Sequence, residues 1–125
     1  MLQKLFLIAL AGGLGTLARY GLSGAVQHFG GKDFPWGTVV VNLLGCFVFG
    51  VLWASIEERW TLSGETRTII LVGFMGAFTT FSTFMFETGG FLQDSQWLLA
   101  LGNVALQNLG GLIALLLGLA AGNLV

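Results

Sequence analysis

The chain has 125 residues, is 55% hydrophobic and only 9% charged, and has a mean hydropathy of +0.87 and a net charge near −1, whereas an ordinary soluble domain carries about 25% charged residues. Such a composition takes a lipid bilayer as its solvent, and without a basic or acidic run it excludes nucleic acid and polybasic lipid patches as partners. A single cysteine, Cys46, rules out an internal disulfide and a cysteine metal site.

Charges divide the sequence into four apolar blocks, 5–27, 36–56, 68–92 and 97–124, each near or above the ~20 residues a helix needs to cross the hydrocarbon. Four transmembrane helices are therefore predicted, in one domain spanning residues 1–125. Lys4 before the first block resembles a signal peptide, but no small-x-small cleavage site follows and Arg19 leads into more apolar sequence. The joints are short: "HFGGKDFP", in which His28 reads as a loop residue, then the charged "EERWTLSGETR", then "QDSQ". Trp36, Trp53, Trp60 and Trp97 lie near block ends, where interfacial aromatics belong. No alternation suited to an outer-membrane barrel is visible.

Four crossings put both termini and the second loop on one side, with Lys4, Arg59 and Arg67, against Lys32 and, if it snorkels there, Arg19 on the other. That bias is weak under the positive-inside rule. Either a fixed orientation or insertion both ways round fits it, and the second would permit an antiparallel homodimer. Glycine makes up 20 residues. Gly12, Gly13, Gly15, Gly45, Gly50, Gly73, Gly76, Gly110, Gly111, Gly118 and Gly122 recur at spacings that let helices approach closely. Four tightly packed helices leave no room for a pore in one subunit, so transport would need an oligomer.

Polar groups inside a membrane are costly and are functional candidates by default. Helix one offers Arg19, helix two Thr38 and Asn42, and helix four Asn103, Gln107 and Asn108. Helix three carries "GFMGAFTTFSTFMFE", with hydroxyls at Thr79, Thr80, Ser82 and Thr83 around Phe81, and Glu87 as the only acid within any block. This inventory favours donors over negative charge, as an anion path would. Phe81 and Phe84, three residues apart, can flank one lane with their positive ring edges, or serve as ordinary packing. The hydroxyl run after Gly76 predicts an interruption between Gly76 and Thr80, whose freed carbonyls could hold a small cation; a continuous helix capped by its own hydroxyls is the alternative. No nucleophile, base and orienting acid converge, which argues against an enzyme.

The segments "GGLGTLARY", "PWGTVVVNLLGCFVFG" and "GFMGAFTTFSTFMFE" resemble the small fluoride channels of the CrcB/Fluc family in order and over the whole length. The resemblance implies an all-α membrane protein of four transmembrane helices, with helix three interrupted, forming a dual-topology antiparallel homodimer in the cell (inner) membrane. Two fluoride pores and one central structural Na⁺ go with it. It implies Asn42 as a pore amide, Phe81 and Phe84 as the aromatic lane, and Ser82 and Thr83 along a polar track, with Thr38 beside them. Arg19 would sit at a vestibule, Glu87 at the track's far end, and the backbone carbonyls of Gly76 and Thr79 at the Na⁺. Helix four departs from the pattern: Val104 and Asn108 stand where the family often has tyrosine and then serine, and Asn108 would still donate.

For the fluoride path that the resemblance implies, passive conduction is the simpler mechanism, since no nucleotide motif or carboxylate suited to proton coupling is present. Two rivals share the broad features. A proton-coupled exporter of organic cations would need a carboxylate in the first helix, which is absent, and a non-transporting membrane scaffold would leave the midplane donors unexplained.

Overall fold

Backbone polar groups in hydrocarbon must be satisfied within the chain, which confines apolar blocks of this length to helices. The computed structural model, which describes residues 1–124, contains four helices long and apolar enough to cross a membrane: Leu2–Gly30, Trp36–Glu58, Gly64–Gln93 and Trp97–Leu124. No strand is present among the described residues. The protein is a multi-pass membrane protein.

The first span is one helix, α1 (Leu2–Gly30), and the second is α2 (Trp36–Glu58). The third is composite: α3 (Gly64–Thr68), a π-helix (Ile69–Met75), α4 (Gly76–Phe78) and α5 (Phe81–Gln93). The fourth is α6 (Trp97–Leu124). The helix of the first span runs further than the apolar block suggests, so His28 lies in its last turn and not in a loop. It stops at Gly31, whose φ of 86° lies in the region glycine adopts without strain. Gln27 fastens the turn that follows: its Nε2 donates to the carbonyls of Gly31 and Phe34, and its Oε1 accepts from the Gly37 amide at 3.0 Å.

At the opposite end, Ser63 caps α3 by accepting the Thr66 N–H at 3.2 Å. Arg67 reaches back to Glu57 at 2.8 Å, an exposed pair of small energetic weight. The π-helix bonds i→i+5 where an α-helix bonds i→i+4, and at its end the Gly76 amide donates to the Leu71 carbonyl.

The packing is α2 along α6, α1 against the π-helix and α4, and α5 against α6. Lipid supplies no hydrophobic force between helices, so close backbone approach and dispersion must hold them. The α2–α6 seam depends on Gly50, Gly118 and Gly122: a methyl group at Gly118 would collide with the Phe47 carbonyl, and one at Gly122 would lie 2.7 Å from both Ala54 Cβ and the Val51 carbonyl. Gly15 plays the same part between α1 and the π-helix, where a Cβ would run into the Phe74 carbonyl. Gly13 of the same helix has nothing within 4 Å, so only some of the glycines are packing positions within the chain.

Gly118→Val should lower the thermal midpoint of the purified protein markedly, because overpacking against backbone costs about 1–3 kcal/mol. Gly64→Ala, at an open position, should leave the midpoint within a degree or two. Equal midpoints for the two variants in a detergent thermal-shift assay would show that the seam is looser than the geometry requires.

Candidate functional site

The third span leaves helical geometry at two residues, Thr79 (φ −92°, ψ 160°) and Thr80 (φ −148°, ψ 115°). An interruption strands backbone groups on both sides, because the last carbonyls of one helix and the first amides of the next lose their partners. Thr80 answers part of this locally: its Oγ1 accepts the Thr83 N–H at 3.3 Å and donates to Thr83 Oγ1 at 2.9 Å, capping α5. Asn42 of α2 answers most of the rest. Its Oδ1 accepts the Thr80 N–H at 2.8 Å and its Nδ2 donates to the Thr80 carbonyl at 3.0 Å, pairing with the extended residue as a neighbouring strand would. On the helical side, Arg19 Nε donates to the Ala77 carbonyl at 3.0 Å, a favourable place for a cation at a helix C-terminus.

Asn42 approaches because Gly45, one turn along α2, has no side chain: a Cβ there would collide with Thr79 Cγ2. Thr80 donates to Asn42, and Thr79 N–H still reaches Met75 at 3.3 Å. The carbonyls of Gly76 and Thr79 therefore accept no backbone hydrogen bond among the described residues. Gly76 itself is helical (φ −61°, ψ −32°); its carbonyl is freed because the residue four positions on has turned away.

A second set of polar contacts runs from Asn42 into α6 and back to α5. Asn42 Nδ2 donates to Gln107 Oε1 at 2.7 Å, Gln107 Nε2 to Asn103 Oδ1 at 2.9 Å, and Asn103 Nδ2 to Thr88 Oγ1 at 2.9 Å. Thr88 then donates to the Phe84 carbonyl at 2.8 Å. Asn103, Gln107 and Thr88 are all buried, Asn103 completely. Buried polar groups must be paired, and this line pairs them with one another.

Asn108 and Val104, the positions singled out on helix four, face elsewhere. Both are exposed, and Asn108 Nδ2 donates to the Val104 carbonyl one turn back in its own helix. Asn108 still borders a cleft of about 210 Å³ shared with Asn42, Thr79, Thr80, Phe81, Phe84 and Gln107. Gln107 and Asn103 are the residues of α6 that join Asn42, and Thr88 was not singled out from the sequence at all. The available signal was the i, i+4 spacing of Asn103 and Gln107, which puts two amides on one helix face.

The two rings meet edge to face, with centroids 5.7 Å apart and planes 66° apart, the arrangement favoured by opposed ring quadrupoles. Their surroundings differ: Phe84 is 3% exposed inside the helix bundle, whereas Phe81 is 71% exposed on the surface of the single chain. Ser82 is exposed beside Phe81, and Thr83 is half-buried. Further along α5, Thr38 Oγ1 donates to Glu87 Oε1 at 2.7 Å, while Glu87 Oε2 is buried without a hydrogen-bond partner among the described residues. Glu87 borders a wide cavity of about 740 Å³ near the α1–α2 turn, together with Lys32, Asp33 and Asp94. Asn42, Thr83 and Phe84 thus gather at the break, Thr38 and Glu87 lie together toward one end of the span, and Arg19 touches the break from its other side.

The model of a protein family described as "CrcB-like protein, Camphor Resistance (CrcB)" matches residues 6–119. A relative from Solidesulfovibrio magneticus, named "Fluoride-specific ion channel FluC", is 58% identical over 125 residues, covering 100% of both chains. Relatives of the same name from Nitrosococcus oceani and Desulforapulum autotrophicum are 58% and 54% identical, again over 100% of both chains. With four apolar spans and a match that runs through all of them, the chain belongs to the CrcB family.

Proposed function

We propose that this protein is a fluoride-selective channel, through which fluoride leaves the cytoplasm passively across the cell (inner) membrane. The observation that carries the reading is the line of amides and hydroxyls that runs from half-buried Thr80 and Asn42 to buried Gln107, Asn103 and Thr88. It lies in a chain whose only acid within the four apolar blocks is Glu87. The relatives' names point to the ion; the residues supply the means. Fluoride is small and strongly hydrated, so its water must be replaced by closely spaced N–H and O–H donors and by the positive edges of rings.

In this reading Asn42 is the pore amide, Phe81 and Phe84 present ring edges, and Ser82, Thr83 and Thr38 add hydroxyls along the track. Asn108 borders the same cleft from a more exposed position, Arg19 faces a vestibule, and Glu87 ends the track. Phe81 stands on the surface of a single chain, so a lane beside it needs a second wall. A partner subunit supplies that wall in an antiparallel homodimer with two pores, and the weak charge bias between the two sides of the membrane is compatible with such dual topology.

The same assembly accounts for the freed carbonyls at the break. Gly76 and Thr79 offer hard oxygen donors without backbone partners, and no cluster of His, Cys, Asp or Glu suited to a metal exists among the described residues. Two carbonyls from each of two subunits fit a structural Na⁺. When bound, that ion would supply a positive charge compensating the paired helix ends. Arg19 occupies the intervening Ala77 carbonyl and so leaves the other two for the ion.

Fluoride and chloride efflux from liposomes under one K⁺ gradient with valinomycin tests the reading. Fast fluoride loss with little chloride loss supports it; if neither anion moves, it fails, and proton-coupled efflux of organic cations becomes the next measurement. Phe81→Ile and Phe84→Ile should each lower fluoride flux by about tenfold, the upper range for an aromatic edge contact, with the dimer intact on gel filtration. Undiminished flux in both would remove the aromatic lane. Asn42→Asp should abolish flux, because a carboxylate oxygen would face the carbonyl oxygens of Thr80 and Gln107 and add a repelling charge to the path; normal conduction would make Asn42 a packing residue. Exchange of Na⁺ for N-methylglucamine during purification should lower the thermal midpoint of the dimer, and an unchanged midpoint would argue against the ion.

A further inference from the structure

We propose that Gln107 is a positioning residue: it holds the Asn42 amide against Thr80 and thereby maintains the geometry of the break. This rests on the fluoride-channel reading for its consequence, though not for its geometry. Asn42 has two Nδ2 hydrogens and uses both, one on the Thr80 carbonyl and one on Gln107 Oε1. Thr80 and Gln107 therefore grip the amide from two sides, and without Gln107 the side chain keeps one anchor only.

Gln107 is itself held with a fixed polarity. Its Oε1 faces a donor on Asn42 and its Nε2 faces the Asn103 carbonyl oxygen, while Asn103 Nδ2 faces Thr88 Oγ1. Thr88 spends its hydroxyl hydrogen on the Phe84 carbonyl. Reversing either amide of α6 would set oxygen against oxygen at one contact and N–H against N–H at another, so the series has one consistent direction. The series also closes on itself. It leaves α5 at Phe84 and Thr88, crosses α6 and α2, and returns at Thr80, four residues before Phe84. The backbone carbonyl of Phe84 and the extended backbone of Thr80 thus belong to the same series of bonds, and Gln107 is the link that joins the α6 part to the α2 part.

The test combines flux with a spectroscopic signature. Protein reconstituted in lipid with ¹⁵N-labelled asparagine side chains gives an Asn42 Nδ2 resonance by solid-state NMR, assigned by its loss in Asn42→Ser. Gln107→Met keeps the length and removes both hydrogen-bonding ends; it should shift that resonance and lower fluoride flux about tenfold, as loss of a buried hydrogen bond does. In the Asn42→Ser background the same substitution should lower flux much less, because Gln107 acts through Asn42. Asn103→Leu, one link further away, should shift the Asn42 resonance by a smaller amount and decides the matter if Gln107→Met does not assemble. An unmoved Asn42 resonance, or an equal loss of flux in both backgrounds, would overturn the proposal. Wild-type liposomes that retain fluoride would instead overturn the channel reading, while the resonance still reports on the positioning role.

Discussion

Thr79 and Thr80 leave the helix inside a membrane span, where lipid offers no hydrogen bond, so other parts of the chain must satisfy most of what the break exposes. A buried backbone group left without a partner costs about 1–3 kcal/mol. Asn42 satisfies both groups of Thr80 with one side chain, Thr80 Oγ1 satisfies Thr83, and Arg19 satisfies Ala77. An asparagine suits the place because its amide carries donor and acceptor in one plane at about peptide spacing. Aspartate, leucine or serine would each leave at least one of those groups unanswered.

That single contact imposes conditions on helices far from it in sequence. Asn42 can reach Thr80 only if α2 lies close to the break, and Gly45 permits this by presenting no side chain to Thr79. The other face of α2 must at the same time lie close to α6, so that Gln107 meets Asn42, and Gly50, Gly118 and Gly122 remove the side chains that would hold the two helices apart. The π-helix lies against α1 through Gly15 and Gly73 on the opposite side. The glycines and the amides are therefore parts of one arrangement: the first set the interhelical distances at which the second can bond.

Much of this was legible in the sequence, and the exceptions have physical reasons. Four blocks of sufficient length and hydropathy identify the spans, because the bilayer imposes its own thickness on them. Their ends are less legible: "HFGGKDFP" suggests a loop from His28 onward, yet α1 continues until Gly31 can adopt a positive φ. Asn42 stands out because an amide in the middle of an uncharged block needs a partner. Asn108 stands out through the family resemblance and Asn103 and Gln107 do not, since α6 carries four amides and only the helix's rotation about its axis decides which of them face α2 and α5. The π-helix Ile69–Met75, which packs against α1, has no sequence signature of its own.

The saturation of Asn42 bears on how an anion could be selected. Both of its Nδ2 hydrogens already serve protein oxygens, so an ion that takes one must displace a neutral acceptor and compensate for its loss. Hydrogen bonds to an ionised acceptor are roughly twice as strong as neutral ones, which gives any anion an advantage over a carbonyl. The advantage grows as the ionic radius shrinks, because the charge comes closer to the donor. In the proposed fluoride path, chloride, larger and more diffuse, would gain less at the same contact and would also have to widen the space between Phe81, Phe84 and the break. With Asn42 as the proposed pore amide, a site whose donors are occupied by its own protein acceptors would discriminate between anions twice, once by the strength of the bond it surrenders and once by the room it gives.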